Sequence, residues 1–178
     1  MRHMAKTMKK IHKILLVFVL LVVAVAVSVI SNLSIAKTQE AVGEVLRKKL
    51  DLPQDAVITC AGDYTADEYA LLWFTAPDQY MTLYRAVECR VLNNGSYLVK
   101  KIYTPSAYAR DIVHVVWRYA RDIVLINNFD CRSIVCDTSY GEEKTELSAE
   151  DIPYVFPYAP PFGTTACDFL DAVGNSIR

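Results

Sequence analysis

The most reactive side chains in the sequence are five cysteines and one histidine that follow a long apolar segment. They are His114, Cys60, Cys89, Cys131, Cys136 and Cys167. A thiol nucleophile needs a neighbouring base such as histidine to form the thiolate. His114 with Cys60 or Cys131 could therefore make an envelope enzyme with a thiol nucleophile. However, His114 lies inside the run IVHVVW, where a histidine packed on a sheet face is far commoner than a catalytic one.

Motifs for metals, cofactors and other catalysis are missing from the sequence. A zinc site needs closely spaced pairs of ligands such as C-x₂₋₄-C, and the chain has no CxxC. It also lacks GxSxG, HExxH and a glycine-rich phosphate loop. We therefore predict no enzymatic activity, no cofactor and no metal. An odd number of cysteines means that at least one is free or bonds between chains, and the sequence does not decide which cysteines pair.

One stretch favours binding, the aromatic and proline-rich segment IPYVFPYAPPFG at residues 152–163. Its aromatic residues are Tyr154, Phe156, Tyr158 and Phe162. Aromatic rings offer rigid contact area, and prolines reduce the entropy lost on binding. We predict these four as binding residues for an envelope protein or a cell-wall glycan. The alternative is that the rings close the end of the core, on an edge strand or a polyproline-like segment.

The element that locates all of these groups is the apolar segment at residues 14–30, which carries no charge. A bilayer core of about 30 Å needs about 20 apolar helical residues. Because Leu33, Ile35 and Ala36 extend the apolar character, we predict a transmembrane signal anchor at 14–36. The alternative is a signal peptide cleaved after Ala36, which would release a secreted binding protein. The apolar run exceeds the roughly 7–15 residues of a signal-peptide core, and this favours the anchor.

Charges on the two sides of the segment predict its orientation. The tail at residues 1–13 has five basic residues and no acid, so the positive-inside rule places the N-terminus in the cytoplasm. The C-terminal domain then lies outside the cell membrane, and the partner of the span is the lipid bilayer. Outside the tail, the chain has 14 basic and 20 acidic residues. This acidic balance argues against nucleic acid as a partner.

A juxtamembrane helix is predicted at residues 37–50, ending before Pro53. Val42, Val45 and Leu46 fall on one face of this helix. We expect the membrane helix to run on into it as a stalk. The apolar face could dock on the domain or pair with a second copy of the chain.

Residues 51–178 have short β-type runs separated by turns, and a hairpin is the clearest of them. The runs 80–92 and 97–103 flank Asn93-Asn94-Gly95-Ser96, and Asn-Gly suits a two-residue type I′ turn. In that register Leu92 faces Tyr97, Val91 faces Leu98, and Val87 faces Ile102. Glu88 then lies opposite Lys101 on the other face, as a favourable cross-strand pair.

A six-residue duplication allows two interpretations of residues 106–127. YARDIV occurs at 108–113 and again at 119–124. A spacing of eleven fits three helical turns, or two strands at 111–117 and 122–127. The density of β-branched residues favours the strands. The neighbouring Arg110, Arg118 and Arg121 could hold an anion, but surface ion pairs with Asp111 and Asp122 are the more economical interpretation.

These observations predict an α+β fold: a transmembrane helix with a helical stalk, then a small, predominantly antiparallel β domain of hairpins at residues 51–178. The expected role is a non-enzymatic interaction or accessory domain at the cell envelope. The enzyme and the secreted binding protein remain the alternatives.

Overall fold

The computed structural model describes residues 17–23, 34–77, 81–138, 140–159 and 167–177. The chain divides into two compact units, Met1–Ser34 and Ile35–Arg178. In the first unit residues 17–23 are helical, and their side chains are 50–64% exposed. No helix in the described part of the chain is long and apolar enough to cross a membrane. Most of the predicted span at 14–36 lies outside the described residues.

The second unit is built mainly from strands. Its described residues form one α-helix, one 3₁₀ turn and twelve strands. In chain order these are β1 Ile35–Ala36, α1 Gln39–Lys49, β2 Thr59–Ala66, β3 Tyr69–Pro77, β4 Thr82–Val91, β5 Tyr97–Tyr103, β6 Ser106–Ala109, β7 Ile112–Trp117, β8 Arg121–Ile126, β9 Ser133–Thr138, β10 Gly141–Glu146, the 3₁₀ turn Ala149–Asp151, β11 Tyr154–Tyr158 and β12 Asp168–Leu170.

The strands form three antiparallel sheets. The first sheet has the order β1-β5-β4-β3-β2, the second β11-β8-β7-β6 and the third β10-β9-β12. A disulfide between Cys136 and Cys167 ties β9 to the chain just before β12. The prediction of a β-rich, antiparallel α+β fold is confirmed.

The helix and the three sheets pack against one another through three hydrophobic cores. One lies between α1 and the first sheet, where Val42 and Phe74 meet. The next joins the first and second sheets around Trp73 and Trp117. The last joins the second and third sheets around Phe169. Alternation along each inner strand supplies side chains to the cores on both of its faces, so the second sheet is covered on both sides.

Helix α1 is confirmed, but its surroundings differ from the prediction. Thr38 caps its first turn by accepting the N–H of Ala41 at 3.2 Å. Ile35 and Ala36, shortly before this cap, form strand β1, which pairs with β5. The predicted continuous helix from the membrane span into a stalk is therefore wrong at Ile35 and Ala36.

The apolar face of α1 docks on the first sheet. Val42 and Leu46 are buried there, and Val45 is half-buried against the same core. The apolar face of α1 is therefore covered by the chain's own first sheet. Docking on the domain, the first of the two alternatives for this face, is therefore observed, and pairing with a second copy through Val42, Val45 and Leu46 would require the face to leave the first sheet.

The β4–β5 hairpin is confirmed, with a different tip. The N–H of Gly95 bonds to the carbonyl of Leu92, and Gly95 alone in the loop has a positive φ, +77°. This is a three-residue loop with a glycine bulge rather than a type I′ turn. Val91 consequently faces Tyr97, one residue from the predicted register. A second bulge beyond Glu88 restores the predicted pairs Glu88–Lys101 and Val87–Ile102.

Residues 106–127 are strands, as the β-branched density predicted, and not a helix. β7 and β8 pair along their full lengths, and the edge strand β6 begins at Ser106. The segment at 154–158 is an edge strand of the second sheet, and Pro157 is tolerated there because an edge strand can lack a ladder donor.

Gly62 is a point of close approach between the first and second sheets. Its φ is +147°, and a Cβ built on it would lie 2.9 Å from Cγ2 of Val155. We expect Gly62→Ala to lower the free energy of unfolding by about 2 kcal/mol, from strain plus the clash. Gly95→Ala, with φ +77° but open space around the Cβ, should cost about 1 kcal/mol. Equal losses in urea unfolding would contradict the role of the sheet contact.

Candidate functional site

The predicted aromatic binding residues lie in a core. Tyr154, Phe156 and Tyr158 point from β11 toward the third sheet, where Tyr158 is buried and the first two are half-buried. The rings of Tyr154 and Phe156 stack with centroids 5.8 Å apart. Phe162 lies outside the described residues. Tyr154, Phe156 and Tyr158 therefore pack as in the alternative interpretation, in which the rings close the core.

Neither thiol of the enzyme hypothesis makes a hydrogen bond to His114 within the described residues. Cys131 is fully buried and Cys60 half-buried, and burial raises the pKa of both thiols above the ordinary value. The described contacts of the Cys60 Sγ are to Gln39 and Gly62. A reactive cysteine needs a lowered pKa, so this geometry gives the thiol hypothesis no support.

His114 instead belongs to a polar cluster on the second sheet. Its Nδ1 lies 2.9 Å from one carboxylate oxygen of Asp122, and the hydroxyl of Tyr108 donates to the other oxygen. The Tyr108 ring stacks on the imidazole at 3.9 Å. Burial, and then the Asp122 carboxylate, raise the pKa of Tyr108 well above its usual range. The cluster joins the edge strand β6 to β7 and β8.

A second polar cluster surrounds Glu88, which pairs with Lys101 across the hairpin as predicted. Glu88 is only 2% exposed. Its carboxylate accepts hydrogen bonds from Tyr103 at 2.7 Å, from the Trp117 indole at 3.1 Å and from Arg118 at 2.8 Å. Burial, and then the hydrogen bond to Glu88, raise the pKa of Tyr103 to about 12. This cluster holds the first and second sheets together.

Among the described residues, an open groove of about 520 Å³ beside the third sheet offers charged side chains to a ligand. Three segments line it: the β6–β7 turn with Arg110, the β8–β9 connection with Arg132, and the C-terminal residues 171–177. The segments are joined by backbone bonds, from Asn127 N to Asp111 O and from Arg132 N to Leu170 O, both 2.8 Å. We call this the terminal groove.

Arg132 is the best-positioned cation of the terminal groove. One terminal nitrogen of its guanidinium donates to the carbonyls of Phe129 at 2.6 Å and Cys131 at 2.9 Å. Nε and the other terminal nitrogen make no hydrogen bond within the described part of the chain. These two parallel donors can therefore serve a ligand.

The acids of the terminal groove differ in how far their acceptors are already used. Asp171 accepts the N–H groups of Val173 and Asn175 on one oxygen and the Asn175 side chain on the other. The N–H of Asn175 and its neighbours lower the pKa of Asp171. Asp130 is exposed, and within the described residues its backbone N–H is bonded to Asn128 at 2.8 Å while its carboxylate makes no hydrogen bond. Its carboxylate therefore remains available to a ligand.

The three arginines that could hold an anion lie at opposite ends of β7: Arg110 is in the β6–β7 turn, whereas Arg118 and Arg121 are together at the β7–β8 turn. Arg118 binds Glu88, Arg110 lies 3.7 Å from Asp111, and Arg121 is exposed in β8. Arg132 was missed because only the fold of the C-terminal segment brings it to Arg110. No local sequence pattern indicates that Arg132 and Arg110 line the same groove.

Comparisons with known proteins identify no relative. No protein-family model, no curated protein and no solved structure matches the chain. The described residues also contain no group of three His, Cys, Asp or Glu side chains that could hold a metal ion.

Proposed function

We propose that the protein is a single-pass membrane protein with a cytoplasmic N-terminus, and that it presents a non-enzymatic binding domain outside the cytoplasmic membrane. The domain is the β-rich unit that begins at Ile35, and its ligand site is the terminal groove. The bilayer holds the segment that precedes this unit.

The observation that carries the proposal is the exposed apolar helix at residues 17–23. Seven consecutive apolar side chains are each at least half exposed, within an apolar run that extends from 14 to 30. Exposure of this much apolar surface to water is unfavourable by roughly 25 cal/mol per Å². A bilayer removes that cost, and the basic tail favours the cytoplasmic side for the N-terminus.

The disulfide supports a location outside the cytoplasm. Disulfides such as Cys136–Cys167 persist in oxidising compartments and are rare where thiols are kept reduced. The open terminal groove, and thiols whose pKa is raised, support binding rather than thiol chemistry.

The position of Ala36 supports an uncleaved anchor over release after this residue. Ala36 is 3% exposed, and it belongs to the core between α1 and the first sheet. With Ile35 it pairs with Tyr97 and Leu98 of β5. Cleavage after Ala36 would remove strand β1 from the folded domain, so a released fragment would lack part of its own core.

A cysteine-labelling experiment tests the topology. Asn93→Cys places a thiol at the exposed hairpin tip, and Thr7→Cys places one in the basic tail. With a membrane-impermeant maleimide we expect intact cells to label Asn93→Cys, and lysed cells to label both. The labelled protein should keep its full length, about 20.0 kDa.

The unsubstituted chain is the matched control, because Cys60 is half-buried while Cys89 and Cys131 are buried. Labelling of Thr7→Cys alone in intact cells would reverse the proposed orientation. A labelled product that begins at Lys37 would replace the anchor with a secreted protein.

A further inference from the structure

We infer that the terminal groove binds the free C-terminal carboxylate of a short peptide that ends in a small aliphatic residue. This inference rests on the proposed role as a binding domain. It does not depend on which side of the membrane the domain faces.

Arg132 supplies the recognition of the carboxylate. The two hydrogen bonds from one terminal nitrogen to backbone carbonyls hold the guanidinium plane in place. The remaining edge, Nε and the second terminal nitrogen, has the spacing of a carboxylate's two oxygens. Such fork-to-fork pairs are among the strongest hydrogen bonds in proteins, and fixing the plane in advance reduces the entropy lost on binding.

Arg110 supplies a second positive charge at the rim of the groove. Its side chain is 84% exposed, and its one ion pair in the described part of the chain is long, 3.7 Å to Asp111. Its backbone is held from below, because the side chain of the buried Asn128 donates to the Arg110 carbonyl at 2.9 Å. The Arg110 guanidinium can therefore approach a bound anion while the floor of the groove stays fixed.

The acids of the groove select among anions. Asp171 and Asp130 are near the two arginines, so a dianion such as phosphate would be repelled by two carboxylates. A peptide terminus carries one negative charge and several N–H donors. The Asp171 acceptors are used within its own turn, whereas the Asp130 carboxylate can accept a peptide N–H.

The apolar lining suits a small side chain. Val173 is 80% exposed at the groove, beside Ala172 and the half-buried Ile177. A methyl or isopropyl group on the last residue of a ligand would cover Val173. This apolar contact next to a charged fork distinguishes a peptide terminus from a bare inorganic anion.

The test compares two matched peptides on the full-length protein in detergent micelles. N-acetyl-Ala-Ala carries the free carboxylate, and N-acetyl-Ala-Ala-amide lacks it. Binding is followed through the backbone amide resonances of residues 171–177. We expect the carboxylate peptide to bind at least about tenfold more tightly than the amide, and inorganic phosphate to bind more weakly than the carboxylate peptide.

Arg132→Gln should remove the preference for the carboxylate, while the control Arg121→Gln, an exposed arginine that does not line the groove, should keep it. Because Arg132 also binds two backbone carbonyls, its loss could unfold the loop. Arg110→Gln then serves as the second variant, and it should reduce the preference several-fold. Equal binding of the two peptides, no binding, or tighter binding of phosphate would overturn the inference. Those outcomes leave the labelling test of topology unaffected, so the two proposals can fail separately.

Discussion

The double substitution Cys136→Ser and Cys167→Ser is expected to lower the free energy of unfolding by about 3 kcal/mol. The two cysteines are 31 residues apart in sequence, and the cross-link limits the conformations of that loop in the unfolded chain. The three-residue strand β12 has β9 as its neighbour in the third sheet. Without the disulfide, the C-terminal segment is held by this short strand, by the backbone bond from Arg132 N to Leu170 O and by the packing of Phe169.

Urea unfolding with and without a reducing agent isolates the effect of the bond. Reduction should lower the stability of the wild-type protein to near that of the double variant, and should leave the variant unchanged. Cys60→Ser, at a half-buried free cysteine, is the control and should cost much less. If reduction leaves wild-type stability unchanged, the cross-link does not stabilise this domain.

Local sequence patterns were sufficient to predict most strands, and they failed where bulges change the register. The hairpin followed from Asn94-Gly95 between alternating runs. The tip differs because Gly95 alone in the loop takes a positive φ, and the extra β5 residue Lys100, opposite the step from Glu88 to Cys89, reverses the faces of residues 97–99. Tyr97 therefore packs on the α1 side instead of Leu98. The Asn-Gly dipeptide at the tip does not indicate a bulge several residues away in the strand.

The duplicated hexapeptide shows how far neighbours determine structure. In the first copy Asp111 has a φ of +55° in a turn, where it accepts from Tyr84. In the second copy Asp122 is a buried strand residue that holds His114. The same local sequence therefore adopts two structures, because different partners from distant strands meet each copy. The β-branched residues after each copy were sufficient to predict strands, but not the positions of the turns.

The terminal groove could not be predicted from the sequence for the same reason. Its lining comes from three segments that are separated by up to about sixty residues, and Arg132 by itself resembles any surface arginine. The aromatic segment was more conspicuous, yet its rings fill the core between the second and third sheets. The unusual composition of the aromatic segment thus reflects its packing in the core. The open groove is lined instead by charged residues in loops, such as Arg110, Asp130 and Arg132.

Glu88→Gln is expected to lower the free energy of unfolding by about 2–3 kcal/mol. Removing one partner of a fully buried ion pair costs about 3–5 kcal/mol, but the Arg118 side chain is 64% exposed and would be hydrated after the substitution. The larger part of the loss comes from the bonds of Trp117 and Tyr103, which both donate to the same oxygen of Glu88. A neutral Gln carbonyl can accept both bonds, but each is weaker by about 1 kcal/mol without the charge of the carboxylate, and the Gln NH₂ group faces the Arg118 donor.

Glu68→Gln is the matched control for this prediction. Glu68 pairs with Arg90 at 2.7 Å, close to the 2.8 Å of the Glu88–Arg118 pair. The side chains of Glu68 and Arg90 are both about half exposed. Exposed pairs contribute about 0–1 kcal/mol, so the control should change urea stability by less than about 1 kcal/mol. Arg118→Gln should fall between the two, because it removes the ion pair and leaves Trp117 and Tyr103 bonded to Glu88. Equal losses for Glu88→Gln and Glu68→Gln would mean that burial of the carboxylate between the first and second sheets does not stabilise their contact.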